Sequence, residues 1–183
     1  MSVLYRRILL KLSGEALAGD RGYGFDPGTL DLIAQGIVEA SRMGVQIGIV
    51  VGGGNIFRGQ DSAVASDRVS ADQIGMLATL INALALRDVL ERSGAACSVL
   101  CSFAVPTVAE AFNAAKARQY LDQGQVVIFG GGTGCPYFTT DTAAALRNEI
   151  AMTAPGTSLK VGVIRDGKTK TLSVKVEKMS EDK

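Results

Sequence analysis

Three stretches of the sequence gather residue types suited to holding phosphate. The richest is Val126 to Asp141, VVIFGGGTGCPYFTTD, where four apolar residues run into three glycines, then Thr133-Gly134, then Thr139-Thr140-Asp141. Glycines let backbone N–H groups approach an anion that a side chain would keep away. The threonines add hydroxyl donors, and Asp141 places a carboxylate at the head of the helical pattern TAAALRNEI. The same residues equally suit a plain strand-to-helix turn with Asp141 as its N-cap. A second device follows the apolar run VQIGIVV. It is Gly52-Gly53-Gly54-Asn55 with Arg58 close behind, a cation whose planar fork matches phosphate bidentately. The third is Lys11-Leu12-Ser13-Gly14, where the lysine is either a phosphate contact or an exposed residue of a polar loop.

Several chemistries are excluded by what is missing. Neither GxGxxG nor GxxxxGK[ST] occurs at these loops, which argues against a dinucleotide-binding or P-loop protein. The chain has no histidine, so it holds no His-based triad or general base, and a zinc site is not expected. Its three cysteines are Cys97, Cys101 and Cys135. The first two are four apart on one strand pattern, roughly 13 Å at strand rise, too far for a disulfide. The formal net charge of +1 supplies no bulk field for nucleic acid or a membrane surface, so phosphate binding must be local. The N-terminal run MSVLYRRILLKLSG is too short for a signal peptide, and no stretch is read as a membrane span. A cytoplasmic location is the expectation.

The elements that must position these loops are legible as alternating strands and helices. With 183 residues, 47% hydrophobic and 22 glycines, the chain is long enough for one domain plus an appendage. Tyr5 to Leu10 reads as a strand. Asp26-Pro27 opens a helix whose stripe is Leu30, Ile33, Ala34, Ile37 and Val38. Gly44 ends it before the strand Val45 to Val51, and Gly19 to Gly24 reads as a flexible loop. Asp72 opens a long helix to Arg92, as N-cap or first-turn acid, with Ile74, Leu77, Ala78, Ile81, Leu84 and Ala85 inward. Ala96 to Ser102 is a strand, Pro106 to Gln123 a helix, and Val126 onward a further strand. This order predicts a parallel αβα sandwich with the three loops at the carboxyl ends of the strands. After Arg147 the pattern changes: Ser158 to Arg165 and Lys168 to Glu177 alternate around Asp166-Gly167, a hairpin signal, and a charged tail follows. The expected division is residues 1–150 and 151–183.

Four segments then stand in one order: RILLKLSGEAL (Arg7 to Leu17), GGGNIFRG (Gly52 to Gly59), DQIGMLATLINALALR (Asp72 to Arg87) and GTGCPYFTTDTAAALR (Gly132 to Arg147). Over residues 5 to about 147 the chain resembles the bacterial UMP kinases (uridylate kinases) of the amino acid kinase superfamily. The resemblance implies transfer of the ATP γ-phosphoryl group to UMP with Mg2+, by a cytoplasmic homohexamer. It makes Lys11, Leu12, Ser13, Gly14, Gly54 and Arg58 the ATP contacts, with Lys11 neutralising the transferring group and Asp141 orienting Lys11. Lys11, Arg58 and Asp141 are thus the catalytic set. Gly53, Asp72, Thr133, Gly134, Cys135, Pro136, Tyr137, Phe138, Thr139 and Thr140 become the UMP contacts. No residue is assigned as a metal ligand, and neither nucleic acid nor membrane is an expected partner. Gln73 and Cys135 stand where the family often has His and Asn.

The family pattern stops at Ala144-Leu146-Arg147, short of the segment that holds adenine in the family. Leu146 to about Glu177 instead resembles the closing helix and strands of a PDZ domain from an HtrA-type protease, so the chain reads as two joined fragments. Three functions remain open. One is a UMP kinase impaired by loss of the adenine-binding half, and another a non-catalytic UMP or phosphate-binding fragment. A PDZ-type peptide-binding module is the remote third, since the strands of a peptide groove are absent. For the first two, the Lys11 amine, the Gly53 and Gly54 amides, Arg58 and Asp141 should surround one pocket.

Overall fold

The strands of the main sheet are apolar on both faces, and that dictates helices on both sides. A computed structural model describes residues 5–58 and 67–135, together with the backbone of two strands at 158–165 and 168–175. The order is β1 (Arg7–Leu12), α1 (Gly14–Ala18), a 3-10 turn (Gly19–Arg21), α2 (Pro27–Arg42), β2 (Gln46–Val51), α3 (Arg68–Arg92), β3 (Cys97–Cys101), β4 (Glu110–Ala111), α4 (Ala114–Asp122) and β5 (Val126–Gly130). All pairings in this sheet are parallel, in the spatial order β1-β2-β5-β3-β4. β5 therefore enters between β2 and β3, and the carboxyl ends of β1, β2 and β5 lie side by side.

Residue parity divides the core in two. Ile47, Ile49, Val51, Val99, Cys101, Val126 and Ile128 point to one face and pack with Leu17 of α1, Leu30 and Ile37 of α2, and Leu86 and Leu90 of α3. Val50, Leu100, Val127 and Phe129 point to the other and meet Ala117 and Leu121 of α4. The predicted αβα sandwich is the observed fold.

Local boundaries depart from the sequence reading in three places. The long helix starts at Arg68, because the Asp67 side chain caps it by accepting from the Ser70 amide at 2.9 Å. Asp72 is thus not the cap; it lies in the second turn and pairs with Arg68 at 3.0 Å. The second departure is the helix expected from Pro106, which starts at Ala114. Asn113 caps it through Oδ1, and the pairing of Glu110 and Ala111 with the β3 end uses the preceding backbone in the sheet. Third, Gly19 to Gly24 is not a slack loop: it holds a 3-10 turn, and the Gly24 amide donates to the Asn55 carbonyl at 2.8 Å.

α3 also reaches the length and mean hydropathy of a membrane crossing, with 25 residues and 1.4 over an 18-residue window. The sequence reading expects no such stretch. The inner side of α3 packs on the sheet through Ala83, Leu86 and Leu90, as a core helix of this composition does.

The chain separates into two compact units, Met1–Ala144 and Ala145–Lys183. In the second, Ser158–Arg165 and Lys168–Lys175 pair antiparallel, with Arg165 opposite Lys168.

Candidate functional site

The β1 loop meets the β2 loop so closely that glycine is required at Gly14, and the β2 loop meets α3 so closely that it is required at Gly53. A Cβ added to Gly14 would lie 2.5 Å from Asn55 Oδ1 and 2.6 Å from the Gly54 amide nitrogen. One added to Gly53 would lie 2.8 Å from the Ala78 Cβ of α3. The Gly52 amide donates to the Leu12 carbonyl at 2.8 Å, extending the ladder one step past the strand ends. Ser13 caps α1, its Oγ accepting from the Ala16 amide at 3.1 Å. Lys11 stands exposed one residue before the end of β1, opposite Val50. Among the described residues, the Gly53 and Gly54 amides donate to no protein acceptor.

Arg58 follows the single turn in which the Ile56 and Phe57 amides donate to the Gly53 carbonyl. Its guanidinium lies 2.8 Å from Glu15 Oε1, with a longer 3.4 Å bond from Nε to the Gly54 carbonyl. Both side chains of this pair are more than half exposed.

Behind the loops sits a buried polar network that the sequence reading does not anticipate. Asn55, Thr79 and Asn82 are the buried polar side chains among the described residues. Asn55 and Asn82 exchange amide bonds reciprocally, at 3.1 and 2.6 Å. Asn82 also donates to the Gly52 carbonyl at 2.5 Å and Asn55 to the Gly24 carbonyl at 2.8 Å. Two loops, Gly52–Asn55 and the one at Gly24, are thereby tied to one helix. One turn earlier, Thr79 Oγ1 accepts from the Gly131 amide at 2.8 Å and donates to the Met76 carbonyl at 2.8 Å. The β5 loop is thus held by the same helix, and Ser102 Oγ secures its other side by donating to the Gly131 carbonyl at 2.6 Å.

This network also explains the displaced stripe of α3. Leu77 and Ile81, expected inward, are 48% and 47% exposed, whereas Thr79 and Asn82 are buried. Apolar residues occur nearly all round this helix, so periodicity carries no phase, and the burial goes to side chains that satisfy loop backbone. The one available signal is the pair of asparagines, Asn55 after the glycines and Asn82 inside an apolar helix, since a buried amide needs a partner.

Asp72, Gly75, Met76 and Thr79 follow the i, i+3, i+4, i+7 spacing of one helix face. That face carries the contacts to Gly53, Gly131 and Gly132, so Asp72 lies on the side of α3 that meets both glycine loops. Of the β5 loop, Thr133, Gly134 and Cys135 are described, and the Thr133 hydroxyl folds back, donating to the Cys135 carbonyl and accepting from its amide. Pro136, Tyr137, Phe138, Thr139, Thr140 and Asp141 lie outside the described residues, so the expected meeting of Lys11 with Asp141 does too.

The cysteines sort by environment. Burial, followed by the charge of Glu91, pushes the Cys97 thiol up to about 12, and Cys101 is buried. Cys135 is exposed. Maleimide at neutral pH should therefore label Cys135 well ahead of the other two, since the thiolate is the reactive form. Peptide mapping of briefly labelled native chain checks this, and prominent labelling of Cys97 would contradict it.

A parallel three-layer αβα sheet with glycine-built loops side by side at its carboxyl edge defines the class of protein. The model of the amino acid kinase family matches residues 6–149, and the chain belongs to that family. It is 55% identical over 147 residues to a uridylate kinase of Mesorhizobium japonicum, covering 79% of this chain and 60% of that one. It is 56% identical over 147 residues to the uridylate kinase of Agrobacterium fabrum, with the same two coverages. The crystal structure of a UMP kinase from Bacillus anthracis superposes with a TM-score of 0.76 at 44% identity, over 81% of this chain and 61% of that one. The chain thus spans about 60% of the length of these relatives. The family model ends before the strands of the second unit.

Proposed function

We propose that the chain handles the UMP kinase reaction, transfer of the ATP γ-phosphoryl group to UMP. The observation that carries this is the β1–β2 loop pair, locked face to face with the Gly53 and Gly54 amides unengaged beside Arg58. Such amides and a forked cation suit a reaction in which catalysis is positioning plus charge stabilisation. Lys11 neutralises charge on the transferring group and Asp141 orients it. Leu12, Ser13, Gly14, Gly54 and Arg58 hold the ATP phosphates. Gly53, Asp72 and Thr133 to Thr140 hold UMP, the Thr133 hydroxyl exchanging its local bonds for the ligand.

No three His, Cys, Asp or Glu side chains converge among the described residues. Magnesium in this reading arrives on the nucleotide phosphates, the usual arrangement in kinases, and supplies Lewis-acid neutralisation there. The exposed Leu77 and Ile81 on α3 support a homo-oligomer of the kind the family suggests. The antiparallel strands of the second unit are compatible with the PDZ-like ending read at Leu146 to Glu177.

Because the matched portion is about 60% of the relatives, UMP binding and ATP turnover are separable outcomes. Calorimetric UMP titration and coupled ADP release test both. The expected result is UMP binding that Asp72→Asn weakens by about tenfold or more, the scale of a lost charge-assisted bond, with slow turnover. Turnover at a rate independent of UMP would remove the UMP reading. Binding without any turnover would favour the non-catalytic fragment. UMP should also protect Cys135 from maleimide.

A further inference from the structure

The ion pair of Glu15 with Arg58 stands at the mouth of the loops. Only Arg58 has a part in the proposed kinase function, and the role inferred for Glu15 rests on that function. Glu15 is the second residue of α1, and its Oε1 lies 3.6 Å from where a Cβ on Gly54 would stand. The same oxygen takes the Arg58 guanidinium at 2.8 Å. A phosphate donated to by the Gly54 amide would therefore meet Arg58 already occupied, and a carboxylate of its own sign alongside. Both charges cannot share that space without repulsion. Among the described residues, nothing holds Glu15 there except the guanidinium: its side chain is 60% exposed and makes no other described hydrogen bond.

We infer that Glu15 is an internal stand-in for phosphate, holding Arg58 in place over the Gly54 loop until an arriving polyphosphate displaces its carboxylate. The exchange is easily made, because an exposed ion pair contributes little, whereas a phosphate offers the guanidinium two oxygens and the Gly54 amide a third. Glu15 is then a positioning residue that acts through Arg58. It opposes weakly charged ligands more effectively than polyphosphates, because only the latter recover the whole fork.

Its removal should tighten binding, which the loss of a merely structural contact does not do. The probes are inorganic triphosphate and ATP, titrated calorimetrically into the full 183-residue chain. Glu15→Gln keeps the size and drops the charge, and should tighten triphosphate about two- to fivefold, the range of an exposed ion pair. Uridine, which carries no phosphate, should be unaffected. In an Arg58→Ala background the gain from Glu15→Gln should largely disappear, because no guanidinium remains to be released. Unchanged or weaker triphosphate binding in Glu15→Gln would overturn the inference. An equal gain in both backgrounds would overturn it too, by assigning the effect to plain charge repulsion. If triphosphate bound the Arg58→Ala chain as well as the unmutated one, the phosphate reading of the loops would itself fail, and the stand-in with it.

Discussion

Lys11→Ala is expected to lower ADP release by about a hundredfold or more while leaving UMP affinity within about twofold. The scale is that of removing one preorganised charge from a site of developing negative charge. The asymmetry follows from position. Lys11 is on β1, in register with Val50 and next to the Ser13-Gly14 turn, whereas Asp72, Thr133 and Cys135 belong to α3 and the β5 loop. An amine on β1 can thus be lost with the residues assigned to UMP intact. Single-turnover ADP release beside UMP calorimetry separates the two quantities. Equal losses in both would place Lys11 in ground-state binding rather than in the transfer step.

Asn82→Leu is expected to cost about 3 kcal/mol of stability, far more than an exposed substitution. The change strands the Asn55 Oδ1, which accepts an Asn82 amide proton in a buried setting, and the Gly52 carbonyl, which accepts another in a part-buried one. A buried polar group left without its partner costs about 1–3 kcal/mol. Urea unfolding with an unchanged slope and a lowered midpoint is the expected signature. The Gly52–Gly54 loop should loosen at the same time, so triphosphate affinity should fall even without denaturant, at temperatures where the chain stays folded. A midpoint within error of the unmutated chain would show that solvent or backbone shifts satisfy these groups instead.

The strand pattern and the two glycine-triplet loops are legible because buried parallel strands are written as unbroken apolar runs and glycine triplets follow them directly. VQIGIVV and VVIF need no partner to be read. The boundaries of α3 and α4 are not legible, since Asp67 and Asn113 compete as caps with Asp72 and the Pro106 turn, and tertiary pairing of Glu110–Ala111 decides the second case. Strand order is beyond reach too: nothing in residues 126–130 announces a place between β2 and β3. The described site residues named from the loops lie where the loops do. Asn82 and Thr79 escape notice because periodicity weighs apolar side chains and is blind to polar ones that turn inward to meet backbone.

The central place of β5 has a consequence for how the chain comes off the ribosome. Through residue 125, β1 with β2 and β3 with β4 are two separate half-sheets, because β2 and β3 never pair with each other. Each half offers an open apolar edge of the kind that recruits foreign strands. The five residues Val126–Gly130 close both edges at once, pairing with β2 on one side and β3 on the other. Their final glycine then leads into the loop that Thr79 anchors. Protection of the nascent sheet and completion of the ligand-facing edge are thus delivered by a single late segment.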